Sequence, residues 1–518
     1  MEQPDARPER RFGRGGLFGS TVVVTVFTLA SQAVSFALLV VTAALFGASP
    51  EMDAFLAAST LPQYVVTVLL GAIGVVFMPI FMDYQAAHRD DEAWQVASGV
   101  ITLSVIVLAC ITAAGMAFTR PLLQLTTPGL TSASLALASR LALITWLIVI
   151  PNGVLGLLTG IYQAQGRFAW PAAVPVVGGL VNVAVLGLLA HWLGPTSLAI
   201  AATSAAVLQA ALVLPLALKG RRYRPTVQWR HPGVQQFVHL LIPLVLSSIF
   251  IRWTPVIDRY LASQLSPGSI SRIGYAFALV TVVSRLMATG ISTVIFPRMA
   301  WNAAAGDMSA LWRTMSTGLR TMWLGVAPVM ALGWVLAHPG VMVVFARGQF
   351  SAADGVVVTT LVRVYLTALI GMCLGTITGR GFYALKDTRT PAVVGVLEAI
   401  AYAIYTALLA RRFGAVGVAW GYVIYFSVAI TWHVCVLRYK TRARGEVREI
   451  VSALRILAAA LAAGLSAWVA VQVVHGNVAQ LFAGGLTGLV VYAIVVHQLG
   501  SQETAILLAG VSRWLKRP

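Results

Sequence analysis

The charged residues that stand inside apolar stretches are the ones that could do chemistry. Arg252, Asp258 and Arg259 surround Pro255 in IRWTPVIDRY, Arg285 lies in VVSRLMA, and Glu398 lies in GVLEAIAY. An ionised side chain at the middle of a membrane helix costs about 2.5–3.5 kcal/mol, so such groups face a cavity or a partner. On one continuous helix, the seven-residue step would put Arg252 and Arg259 on one face about 10 Å apart. Cations dominate the set. A cavity lined by guanidinium groups suits a phosphate-bearing ligand, because the planar fork grips phosphate oxygens bidentately and keeps its charge in a low dielectric. Asp258 and Arg259 read either as part of that cavity or as an interfacial pair. Glu398 reads as a coupling site for a proton or monovalent cation, or as a partner holding a helix. Arg320 and Arg363 read as snorkelling side chains, and His239 and His433 as packed histidines near helix ends.

The elements that position these groups follow from composition. The chain has 518 residues, of which 58% are hydrophobic and only 10% charged, too few charges to cover a soluble surface. It therefore reads as an integral membrane protein built of helices. The first residues are polar and carry Arg7, Arg10, Arg11 and Arg14. The apolar run after them is too long for the core of a signal peptide, so the start reads as a retained cytoplasmic tail. Apolar stretches near 20 residues predict fourteen spans, at about 20–46, 54–83, 96–118, 137–161, 171–192, 196–218, 237–264, 271–297, 313–337, 356–381, 391–410, 415–437, 453–474 and 480–498. Cys110, Cys373 and Cys435 each lie in an apolar run without C-x-x-C spacing, which leaves no disulfide framework or zinc site. No Walker lysine in a Gly-rich loop and no H-E-x-x-H is present, so neither an ATP-driven pump nor a membrane enzyme has support. The glycines read as close helix packing.

Loop charges set the orientation. One alternating set of loops holds Arg89, Arg167, the run from Lys219 to Arg230, Arg298, Arg313, Lys386, Arg389, the run Arg438 to Arg448, and Arg513 to Arg517. The other set is nearly bare. Lys and Arg collect on the cytoplasmic side, so both termini are expected there. The net charge of +19 is thus mostly topological and implies no nucleic-acid partner, although the two basic runs could attract anionic lipid headgroups. The resulting organisation is a tail (1–19), a six-helix lobe (20–218), a basic loop (219–236), a second six-helix lobe (237–437), a second basic loop (438–452), two further helices (453–498) and a C-terminal tail (499–518).

The chain also echoes itself. GAIGVVFMPIFMDYQAA from Gly71 matches TGISTVIFPRMAWNAAA from Thr289, which brings Pro79 onto Pro297 at an offset of 218 residues. The same offset lays Asp53 over Ser271, and IYQAQGRFAWP from Ile161 matches FYALKDTRTP from Phe382 at nearly that spacing. A shift of six spans preserves orientation, so spans 1–6 and 7–12 are expected to be parallel repeats. Two such halves around a cavity are a frame for alternating access.

Several phrases resemble the MurJ (MviN) family: ALFGASPEMDAFLAASTLP, QGRFAWPAAVP, PVIDRYLASQLSPGSIS, FARGQFSAADGVVVTTLVRVY and RGFYALKDTRTP. The resemblance covers spans 1–12 in order. It implies the fold of the multidrug/oligosaccharidyl-lipid/polysaccharide exporter superfamily and export of lipid II, the undecaprenyl-pyrophosphate-linked peptidoglycan precursor. It implies that spans 13 and 14 form a groove for the lipid tail. Of the family's polar positions in spans 1, 2 and 8, Asp53 is retained. Gln32 and Leu38 stand at two arginine positions, the apolar stretch around Val66 replaces a third, and Ala278 and Thr281 replace an arginine and an acidic group. Arg285 lies seven residues after Ala278, on the same face.

These readings converge on an all-α flippase in the bacterial inner membrane. Its substrate would be held by Arg252, Arg259, Arg285 and Asp53, with Asp258 and Glu398 as ion-coupling groups. No cofactor is expected beyond coupling to the membrane potential or a monovalent cation, and no metal is assigned. Membrane lipids and cell-envelope synthesis enzymes are the expected partners. An exopolysaccharide-precursor flippase, a drug exporter of the same fold and a non-transporting membrane partner remain open.

Overall fold

In hydrocarbon each backbone N–H and C=O has to find its partner within the segment, so long apolar runs become helices. The computed structural model describes residues 14–218, 223–442 and 447–499, and among them regular structure is helical throughout. The helices are α1 (Arg14–Phe46), α2 (Pro50–Ala86), α3 (Asp90–Ala117), α4 (Thr119–Thr126), α5 (Ser132–Thr145), α6 (Val149–Ala164), α7 (Ala169–Leu193) and α8 (Thr196–Leu218). Next come α9 (Pro232–Ile251), α10 (Thr254–Ser263), α11 (Ser269–Ala304), α12 (Met308–Phe345), α13 (Ala352–Ala384), α14 (Arg389–Thr441), α15 (Val447–Val473) and α16 (Asn477–Gln498). Twelve segments among the described residues are long and apolar enough to cross a membrane.

Two elements explain why twelve such segments appear where the sequence suggests fourteen spans. The stretches 391–410 and 415–437 join in α14, whose only non-helical residue is Gly414, at φ 59° and ψ −137°. The stretch 237–264 is divided into α9, of 20 residues, and α10, of 10. Residues 1–13 and 500–518 of the predicted tails, and part of each basic loop, lie outside the described residues, while 14–19 already belong to α1.

Helix ends repeat a local pattern. His88, at φ 55°, is followed by a bond from Arg89 N to Tyr84 O, and Gly306, 218 residues further on at φ 74°, by a bond from Asp307 N to Asn302 O. Gly166 (φ 73°) and Lys386 (φ 56°) are followed in the same way by Arg167 N to Tyr162 O and Asp387 N to Phe382 O. This six-to-one bond with a left-handed residue caps orphan carbonyls at a helix C-terminus. Gly194, at φ 52° and ψ −135°, matches Gly414 in conformation.

The chain divides into two compact units. The first comprises Met1–Thr42 and Pro50–Arg259, the second Ala43–Ser49 and Tyr260–Pro518. In the first, α2 packs against α5, α6 and α9, and α8 against α6 and α7. Its core includes Phe77, Phe81, Trp94 and Phe237, with Phe77 edge-on to Phe237 at 6.2 Å. In the second, α13 packs against α11, α12 and α14, while α15 and α16 dock on α12. That docking is held by alanines of α15 and by two polar anchors: Tyr492 OH donates to Leu324 O at 2.6 Å and Trp323 Nε1 to Ala453 O at 3.1 Å. The second unit also takes up the end of α1. Gln349 N donates to Ala44 O at 2.8 Å and Tyr275 OH to Gly47 O at 2.8 Å.

Candidate functional site

In the first unit the helix containing the sequence-selected arginines is interrupted. Pro255 lacks an N–H, and a proline ring crowds the carbonyl four residues earlier, which favours a break between Ile251 and Pro255, whereas Pro243 is accommodated within α9. Accordingly α9 ends at Ile251, Arg252 turns out at φ −103° and ψ 15°, and α10 starts at Thr254 with Pro255 in its first turn, where proline is favoured. The single helix expected over 237–264 is therefore corrected to two. With it goes the regular seven-residue register between Arg252 and Arg259.

The break suits an anion better than a straight helix would. Arg252 is exposed and stands two residues before the start of α10, whose dipole carries partial positive charge there, while Val256 N and Ile257 N donate to Trp253 O. Tyr64 of α2 donates its hydroxyl to Ile249 O at 2.5 Å, which holds the last turn of α9. Asp258, 8% exposed, is buried, and Arg259 is half-buried. Asp53, in the first turn of α2, is buried at 4% exposure. These four residues all belong to the first unit.

Arg285 and Glu398 belong to the second unit. Arg285 is exposed on α11, beside Ser284, whose Oγ lies 3.7 Å from Cys373 Sγ on α13. Glu398 is half-buried on α14, and its Oε1 is shielded from solvent without a hydrogen-bond partner. One turn along stands Tyr402, whose ring lies 5.8 Å from Tyr405, 5.6 Å from Tyr425 and 5.5 Å from Tyr422. Tyr422 continues to Phe277 and Tyr365 at 4.9 and 5.7 Å. Sequence reasoning picked out Glu398 and missed this aromatic cluster. The signal lay in Tyr402 and Tyr405 beyond Glu398 and in Tyr422 and Tyr425 at matching spacing after Gly414.

The other charges have structural partners. Arg363 donates from Nε to Trp334 O at 3.0 Å and lies 4.9 Å from the Trp334 ring centre. Arg272 pairs with Asp354 at 2.8 Å, and Asp354 also completes a capping box with Ser351 at the start of α13. At the opposite end of α13, Lys440 Nζ donates to Asp387 at 2.6 Å. Burial pushes the Asp387 carboxyl up, but hydrogen bonds from Lys440 and Thr390 outweigh it and hold the group at about 2. No group of three or more His, Cys, Asp or Glu among the described residues is placed to hold a metal ion.

Residues 42–486 match a family model described as "Lipid II flippase MurJ". A "Probable lipid II flippase MurJ" of Vibrio cholerae serotype O1 is 28% identical over 421 residues, covering 78% of this chain and 79% of that protein. A "Lipid II flippase MurJ" of Burkholderia cenocepacia is 26% identical, covering 73% of this chain and 76% of that protein. Among solved structures, "Lipid II flippase MurJ, inward closed conformation" superposes with a TM-score of 0.81 at 20% identity, over 92% of this chain and 98% of that one. An inward-facing multidrug resistance MATE family transporter of the MOP superfamily gives a TM-score of 0.67 at 14% identity, over 80% of this chain and 96% of that one. The last two show a shared fold.

Proposed function

Because the chain belongs to the lipid II flippase MurJ family, we propose that it carries lipid II across the bacterial inner membrane as a transporter and not as an enzyme. The observation that carries this reading is the family match over residues 42–486, which takes in nearly all the described helices. Fold alone would leave a drug exporter open, since MATE transporters share the architecture. Within this chain, the α9–α10 break is the feature that suits a pyrophosphate. It offers Arg252 and a helix N-terminus together, as discontinuous membrane helices do for anionic substrate groups. Arg259 and Asp53 on the first unit and Arg285 on the second are the other residues proposed to serve the substrate, since Gln32, Leu38 and Ala278 carry no charge.

The path is proposed to cross the membrane fourteen times, with α9–α10 as one crossing and α14 as two. The Gly414 kink supports the second division. Parallel repeats of spans 1–6 and 7–12 are supported by the left-handed turns His88 and Gly306, Gly166 and Lys386, and Gly194 and Gly414. Both termini are cytoplasmic in this scheme, as the loop charges require. Glu398 is the proposed coupling group for a proton or monovalent cation, because a shielded carboxylate oxygen without a partner gains from either. Asp258 is a second candidate, and cell-envelope synthesis enzymes are proposed partners.

Depletion of the protein tests the substrate. Lipid II should accumulate in the cytoplasmic leaflet, while other polyprenyl-linked sugars keep their normal level. Accumulation of an exopolysaccharide precursor instead would move the assignment to that lipid, and accumulation of neither would overturn the flippase reading. Glu398→Gln should remove the dependence of transport on the coupling ion and leave the protein abundant.

A further inference from the structure

The end of α14 carries an open basic pocket that contains none of the residues proposed for the substrate. It has a volume of about 690 Å³ and is lined by Cys435, Arg438, Tyr439, Lys440 and Arg442. Topology asks only for positive charge at this membrane face and does not require those cations to line one pocket. The cations also differ in their engagement. Lys440 is taken by Asp387, whereas Arg438 and Arg442 form no ion pair with a carboxylate among the described residues. Arg438 is instead held over the Trp312 ring at 5.8 Å. Arg442 closes the helix in a left-handed conformation, at φ 52°, which turns the chain away from the helix axis.

Below the cations the same helix face stays open. Val428, Thr431, Cys435 and Tyr439 are exposed at one-turn intervals, with Tyr439 85% exposed at the top. From Thr431 to Arg442 this lane rises roughly 16 Å, from apolar surface to guanidinium groups. We propose that this lane and cavity bind one anionic glycerophospholipid, its phosphate on Arg438 and Arg442 and an acyl chain along Cys435, Thr431 and Val428. A freely diffusing phosphate would account for the cations but would have no use for the lane. The site goes beyond the flippase reading, since it lies on the outer face of α14 and holds a resident lipid.

The test is lipid retention by the purified full-length chain, read by native mass spectrometry after exchange into phosphatidylglycerol or phosphatidylcholine. The intact chain should retain one phosphatidylglycerol that the doubly substituted Arg438→Gln/Arg442→Gln chain holds about tenfold less well. Cys435→Trp, which leaves the cations in place and fills the lane, should weaken retention as well. Equal retention by intact and substituted chains, or equal retention of the two lipids, would overturn the proposal. So would displacement of phosphatidylglycerol by tens of millimolar inorganic phosphate, which would mark a site for the free anion.

Discussion

The role proposed for Arg252 rests on where the backbone breaks. A guanidinium in mid-helix would have to find a partner or reach for the interface, but at the α9–α10 break it stands beside the positive end of the α10 dipole, which favours an anion. Replacing Arg252 or Arg285 by Ala should remove a charge-assisted contact of about 1.5–3 kcal/mol, a loss of tenfold or more in transport. Complementation of a depleted strain, with abundance checked by immunoblot, measures it. Full complementation by both variants would make the residues structural. Arg252→Lys should recover only part of the loss, because an ammonium cannot reproduce the bidentate grip. Asp387 makes a different prediction. Its folded-state value of about 2 lies below the ordinary 3.8, so the Lys440 tether stabilises fully above about pH 4 and is lost as pH falls through about 2. Asp387→Asn should therefore lower the melting temperature at neutral pH, and the difference from the parent chain should shrink toward pH 2.

At the scale of elements, the turns are as informative as the helices. Gly194 and Gly414 share a φ near 55° with a ψ near −136°, a region that side chains avoid. An added Cβ meets nothing within 4 Å at either position, so the cost of a substitution is conformational rather than steric. Gly194→Ala and Gly414→Ala should each destabilise by about 1–3 kcal/mol and by similar amounts. The helical Gly375, which has equally open space, should tolerate Ala with little change or a small gain. Thermal unfolding in detergent checks all three, and an unequal pair would argue against equivalent turns in the proposed repeats.

At the scale of the molecule, orientation is the testable quantity. Cysteine-free protein given Ser49→Cys or Arg230→Cys should label oppositely with an impermeant reagent in intact cells, Ser49→Cys from outside and Arg230→Cys only after permeabilisation. Equal labelling from outside would remove the proposed path. Contact packing adds a feature that linear order hides. The loop-side end of α1, Ala43–Ser49, belongs with the second unit, and α9 with the first. The boundary between units thus falls at Arg259 and not in the basic loop at 219–236.

The sequence by itself was sufficient for the all-helical membrane character and the family, because lipid forces every backbone group to be satisfied locally. A run of 20 apolar residues has little choice but to become a helix, and Pro255 or Gly414 leaves its mark within a few residues. Loop charge is likewise a local record, of which the structure describes only part. Only the tertiary structure decided which side chains meet. Tyr402, Tyr422, Tyr365 and Phe277 come from α11, α13 and both halves of α14, and Asp387 finds Lys440 from 53 residues away. Such contacts are set by how helices pack, where apolar faces are nearly interchangeable in lipid and small residues and polar anchors choose the neighbours. For the same reason Glu398 was recognisable as a costly charge, while its aromatic surroundings were not.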